Sequence, residues 1–151
     1  VAAHLEGKGI VTQDAAGLAQ KGGATWSHVL IGAQQDDIRT TRKTDFVNNM
    51  WRALAFDPDL LQRTWAEVKG LMATPTQLDP LTKEMIYIAV SIANACSYCV
   101  HSHTAAARAK GMSDAQHAEL LAIVALAAKT NHLATGLQVT LDAVFDVGHP
   151  R

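Results

Sequence analysis

Long hydrophobic runs are missing from this chain. No stretch approaches the roughly eighteen consecutive apolar residues of a membrane-spanning helix, so no membrane span is expected. Alternation of apolar and polar residues with a period of two is also missing, and the short β-branched stretches sit inside helical patterns, which argues against a sheet. Charge is sparse: 18% of the 151 residues are charged and the formal net charge is −1. That balance gives no attraction to nucleic acid or anionic lipid. So low a charged fraction also hints that part of the surface is covered in a homo-oligomer. The first residues, VAAHLEGKGI, lack the basic start and apolar core of a signal peptide. GKG and KGG lack the long spacing and the closing Lys-Ser/Thr of a phosphate loop. Cysteine is limited to Cys96 and Cys99. With no export signal in view, that usage suggests a reducing, cytoplasmic setting.

What is present is helical periodicity. The size fits one domain with a single core. Residues 1–40, rich in glycine, are expected to form an arm or short helical segment, with turns at Ala15 to Gln20 and Trp26 to Ile31 and a linker or helix start from Asp36 to Arg42. His4 and His28 there read as ordinary surface or packing residues. Residues 41–151 are expected to form a helical domain. Thr41 or Thr44 could cap a helix that runs to about Ala55 through Phe46, Val47, Met50, Trp51 and Leu54. Pro58 suits a first helical position for a helix to about Met72, and Trp51 and Trp65 read as core anchors. Ala73 to Pro80 is a turn region. Helices over Thr82 to about Asn94 and from near Cys96 to about Lys110, stopped by Gly111, follow. Ser113 with Gln116 forms a capping box for the next helix, which Thr130-Asn131 is expected to end. A final helix is expected from about His132 to Val147, ended by Gly148 and Pro150. The fold class is therefore all-α, a compact bundle of about six helices.

The stretch that carries chemistry is Glu84 to Met112, EMIYIAVSIANACSYCVHSHTAAARAKGM. A C-x-x-C pair in a chain with no other cysteine suggests redox chemistry. Offsets of three, four and seven residues keep Cys96, Cys99 and His103 on one face of a helix. One turn of separation suits a disulfide where the local geometry brings the Cβ atoms to about 3.8 Å. A helix N-terminus stabilises a thiolate, the reactive form. His103 can exchange a proton near neutral pH, and Glu84 on the preceding helix could orient it if the two helices pack together. Tyr87 and Ser91, one and two turns after Glu84, are candidate pocket residues, as is Tyr98 between the thiols. Asn94 reads as a helix cap. His117 and His132 read as solvated, and Arg108 and Lys110 as partners of a helix C-terminus.

Glu84, Cys96 twelve residues later, Cys99 three after that and His103 four further on resemble the active-site pattern of the alkylhydroperoxidase D family, within the carboxymuconolactone decarboxylase superfamily. The apolar helix, Asn94, the C-x-Y-C run and the alanine-rich helix ending in Gly111 resemble it as well. Met50 to Met72, with Pro58 and Trp65, is similar to the helices that precede the motif in the peroxidase-related branch. The resemblance covers about Asp45 to Val144. It implies an all-helical fold with the reactive C-x-x-C at the start of a central helix. It implies a thiol peroxidase, or disulfide oxidoreductase, in which Cys99 is the peroxidatic cysteine, Cys96 the resolving one, and Glu84 and His103 the proton relay. Hydroperoxide would be the substrate, a lipoyl-carrying protein or a peroxiredoxin the redox partner, and the assembly a trimer, hexamer or dimer. It implies no metal, haem or flavin. One departure stands out: Tyr98 fills the place where the best-known members carry a further histidine, so the full relay of those members is not reproduced.

Three other readings compete. Cys96, Cys99, His101 and His103 match a zinc set in number, yet His101 lies about 200 degrees around the helix from Cys99, so four ligands would not converge. A decarboxylase or hydrolase of the same superfamily is a second, and such members generally lack the C-x-x-C pair. A structural helical protein with inert buried thiols is the third.

Overall fold

The computed structural model describes residues 25–145, with side chains from residue 31 onward. The fold is all-α, as expected, and among the described residues it comprises six α-helices. These are α1 (Thr25–Arg42), α2 (Asn49–Leu54), α3 (Pro58–Val68), α4 (Pro80–Ala93), α5 (Ser97–Ala109) and α6 (Asp114–Gly136). A π-helical turn, Lys69–Ala73, extends α3, and a 3-10 turn occupies Ala143–Phe145. His4, the expected turn at Ala15 to Gln20, and Val147 to Pro150 lie outside the described residues. So does the side chain of His28.

The chain divides at Gln77 into two compact units, and each has an apolar cluster of its own where the sequence suggested one core. Pro75 and the non-helical run around it keep the helix of the first unit from propagating into the second. In the first unit, Ile38, Val47, Trp51, Leu61 and Trp65 are buried together. Trp51 and Trp65 meet edge to face with ring centroids 5.1 Å apart, so both are core anchors as expected. Asp37 ties α1 to α3 and its π-turn. Its carboxylate accepts from Trp65 Nε1 at 2.6 Å and from Lys69 Nζ at 2.7 Å. The hydrogen bond from Lys69, then that from Trp65, hold the Asp37 carboxyl below its ordinary value.

Two expectations for this unit are corrected. Asp36 to Arg42 is no linker: with Trp26 to Ile31 it belongs to α1, an 18-residue helix, and the 40/41 point falls inside it. The helix expected from Thr41 or Thr44 begins only at Asn49. Lys43 adopts a φ of 53°, a left-handed conformation that ends α1, and Arg42 Nη1 donates to Asn48 Oδ1 across the resulting turn. Pro58 does open α3, behind Asp57, whose side chain caps the Leu60 N–H.

In the second unit, Ile88 of α4, Ala107 of α5, Met112 and Leu120 of α6 form the cluster, with Leu81, Met85, Ala89, Ile92 and Val124 packed against it. Helix α4 starts two residues before the expected Thr82. Pro80 occupies its first turn, and Asp79 caps the Leu81 and Thr82 N–H groups. Gly111, at φ 94°, stops α5 as expected. The capping box of Ser113 and Gln116 is present at the start of α6.

The end of α6 differs from expectation. Thr130-Asn131 does not break it, because Thr130 Oγ1 donates back to the Leu126 and Ala127 carbonyls and stays within the helix. The separate helix expected from His132 does not form. His132 to Gly136 continue α6, which closes in a Schellman motif: Gln138, at φ 51°, donates to Thr135 O and Val139 to Ala134 O.

Candidate thiol redox site

The site is built at the α4–α5 junction. Helix α4 also closes in a Schellman motif, with Ala95 in the left-handed region at φ 53°. The Ala95 N–H donates to Ile92 O, and the Cys96 N–H donates to Ser91 O at 2.9 Å. Cys96 therefore ends one helix motif and begins the next. It is the N-cap of α5, its sulfur accepting the Cys99 N–H at 3.3 Å. The expected start of α5 near Cys96 is met, one residue later.

Cys96 and Cys99 are joined as a disulfide across this first turn, with Cα atoms 5.3 Å apart. That separation is ordinary for a disulfide, about 4.4–6.8 Å. One turn beyond Cys99, His103 turns Nδ1 to Glu84 Oε2 at 2.6 Å. The packing of α4 on α5 required for this pair is present. Glu84 is enclosed, its side chain 6% exposed, and its second oxygen accepts from Lys110 Nζ at 2.7 Å. Burial pushes the Glu84 carboxyl up. The hydrogen bonds from His103 and Lys110 and the charge of Lys110 outweigh that, and the net position lies below the ordinary carboxyl value. Glu84 is thus ionised at neutral pH and can only accept. Nδ1 of His103 must then carry its proton, which leaves Nε2 as the nitrogen that exchanges protons.

Tyr87 stacks on His103, ring centroids 3.7 Å apart and 18° from parallel. Ser91 is buried, and its carbonyl holds the Cys96 N–H. Tyr98 stands between the cysteines on an exposed part of the first turn. His101 is exposed on another face, with Nδ1 2.8 Å from the Ser97 carbonyl, and takes no part in the Glu84–His103 pair. Among the described residues, no three His, Cys, Asp or Glu side chains are grouped so as to hold a metal ion, so the zinc set is not assembled. No helix among them is long and apolar enough to cross a membrane.

Lys110 joins the site, where its sequence position suggests only a helix-end role. Its backbone caps α5, but its side chain reaches Glu84 rather than the helix end alone. The signal was available: Lys110 lies seven residues after His103, two turns along the same face.

The model of the carboxymuconolactone decarboxylase family matches residues 58–142. The chain belongs to that family. Among solved structures, it is similar to the crystal structure of the alkylhydroperoxidase AhpD core from Rhodospirillum rubrum, at 64% identity and a TM-score of 0.77, over 78% of this chain and 87% of that one. Comparison with curated proteins returns no match. Within the family, the likeness to the AhpD core, the joined cysteines and the His103–Glu84 pair make this a thiol redox site of peroxidase-like chemistry, and the protein an enzyme of oxidoreductase type.

Proposed function

We propose that the protein reduces hydroperoxides through the Cys96–Cys99 dithiol, with His103 and Glu84 as the proton relay. The observation that carries this reading is the placement of a joined cysteine pair one helical turn from a histidine whose Nδ1 rests on a buried carboxylate. In the reduced enzyme, Cys99 passes its thiol proton to Nε2 of His103 and attacks one peroxide oxygen as the thiolate. An S–O bond forms, the O–O bond breaks, and the departing alkoxide takes the proton from His103 to leave as the alcohol. Cys99 is then a sulfenic acid. Cys96 next gives its proton to His103 and attacks the Cys99 sulfur. The S–S bond forms as the S–O bond breaks, and the released hydroxide takes that proton to become water. Two electrons pass from the two thiols to one hydroperoxide. Glu84 touches neither reactant and acts by holding His103 in the Nδ1–H form.

A lipoyl-carrying protein restores the thiols by dithiol exchange, and the restored dithiol can in turn reduce the disulfide of a peroxiredoxin partner. The reaction takes place in the cytoplasm, where thiols are kept reduced. The protein works as a homo-oligomer: Leu121, Ile123, Leu126 and Leu133 are exposed along α6, more apolar surface on one helix than a lone chain needs to leave open.

The test of the roles is sulfenic-acid labelling of reduced wild type, C96A and C99A over a hydroperoxide titration. The expected result is an internal disulfide in the wild type, a sulfenic acid at Cys99 in C96A and an inert C99A. A sulfenic acid on Cys96 in C99A, with C96A inert, would reverse the roles.

A further inference from the structure

We infer that Lys110 is a positioning residue of the thiol site, acting on the relay through Glu84. The inference rests on the function proposed above and extends it to a residue outside the C-x-x-C and histidine motif. Glu84 uses its two oxygens for two different partners: Oε2 meets His103 Nδ1 at 2.6 Å and Oε1 meets Lys110 Nζ at 2.7 Å. Both partners stand on α5, His103 at its middle and Lys110 at its C-cap. A carboxylate on α4 is therefore clamped between two points of the helix that carries the cysteines. With Oε1 fixed, the carboxylate cannot rotate, and Oε2 stays in line with the imidazole.

Charge supports the geometry. An isolated carboxyl buried to this degree favours its neutral form. A protonated Glu84 could donate to Nδ1 instead of accepting from it. That exchange would place the histidine proton on Nε2, the nitrogen the chemistry needs free. The ammonium of Lys110 opposes it by keeping Glu84 ionised. The groups that face Glu84 are Lys110 and His103 from α5, while α6 meets α4 through the apolar Leu120 and Val124. Lys83 and Tyr87 neighbour it on α4, with Tyr87 stacked on the far partner, His103. The Lys110 turn is itself held, since Gly111 at φ 94° and the Met112 N–H on Ala107 O close α5 directly behind it.

The test compares full-length K110M, K110Q and K110R with the wild type. Two readouts are taken on the reduced protein: the tautomer of His103 by ¹⁵N NMR of the ring, and the rate of dithiol oxidation by tert-butyl hydroperoxide. The side chain of Lys110 is partly exposed, which lets uncharged replacements remain folded, and K110Q against K110R decides the matter should K110M not fold. The expected result is a dominant Nδ1–H ring in the wild type and K110R, a mixed tautomer in K110M and K110Q, and oxidation slowed about 10- to 100-fold in the latter two. Wild-type tautomer and wild-type rate in K110M and K110Q, with only a lowered melting temperature, would overturn the inference. A wild type that does not react with hydroperoxide at all would instead sink the proposed function, and the ring tautomer would still decide what Lys110 does to His103.

Discussion

Replacing Glu84 with glutamine tests the site at its most enclosed point. The carboxylate serves two donors, His103 and Lys110, from a side chain only 6% exposed. An amide has one accepting oxygen, so one donor loses its partner and faces an N–H. A hydrogen bond to a charged group contributes about 1.5–3 kcal/mol, and breaking a buried pair costs about 3–5 kcal/mol. His103 and Lys110 are both partly exposed and can turn toward water, and the amide is easier to bury than the carboxylate. Both effects hold the loss to about 2–3 kcal/mol, or a fall in melting temperature of about 5–10 °C for a chain of this length. The loss depends on pH with a definite sign. Glu84 has its folded-state carboxyl below the ordinary value of 4.5, so its contribution is complete above that value and vanishes as pH falls through the folded one. Melting temperatures of E84Q and wild type, measured by circular dichroism from neutral pH downward, therefore differ at neutral pH and converge only as pH falls below 4.5 and through the lower folded-state value. Peroxide-driven dithiol oxidation in E84Q slows about 100-fold at neutral pH, because His103 loses its fixed tautomer. Equal melting temperatures across the whole range, with an unchanged oxidation rate, would mean that the Glu84 carboxylate neither stabilises the fold nor fixes His103.

Three other substitutions probe the two units of the fold. Ala95 sits in a left-handed conformation that suits glycine, so A95G should raise stability by about 1 kcal/mol, seen as a higher melting temperature with the disulfide still formed. Ser113→Ala removes the hydroxyl half of the capping box on α6 and should cost about 1 kcal/mol in urea unfolding. Trp65→Ala opens the first unit's core and frees Asp37 of its indole partner, which should lower stability by about 3–5 kcal/mol, read as a fall in the urea midpoint.

Much of the site was legible because it is local. Cys96, Cys99 and His103 share a face through spacing alone, and Glu84 reaches His103 because α4 and α5 are joined by a tight turn. Pro58, Gly111 and the Ser113–Gln116 box act through their own backbone preferences, so they marked helix ends correctly. Legibility failed where context overrides preference. Ala95, Lys43 and Gln138 take left-handed conformations that nothing in their side chains announces, and each one ends a helix. Thr130 and Asn131 look like breakers, yet a threonine hydroxyl can bond its own helix, and α6 runs on. In the sequence Lys110 looks like a helix-end cation, because that role needs no partner elsewhere. Its bond to Glu84 exists only once α4 lies against α5.

On the proposed function, Cys96 and Cys99 act together as a two-electron reductant of hydroperoxides. The most direct test is a titration of fully reduced protein, free of added thiol, with cumene hydroperoxide, following peroxide consumed and thiols left to alkylate by intact mass. The expected result is that one hydroperoxide is consumed per chain, both thiols disappear together, and the product carries the Cys96–Cys99 disulfide. Persistence of both thiols in excess hydroperoxide, or loss of peroxide without their joint oxidation, would contradict it.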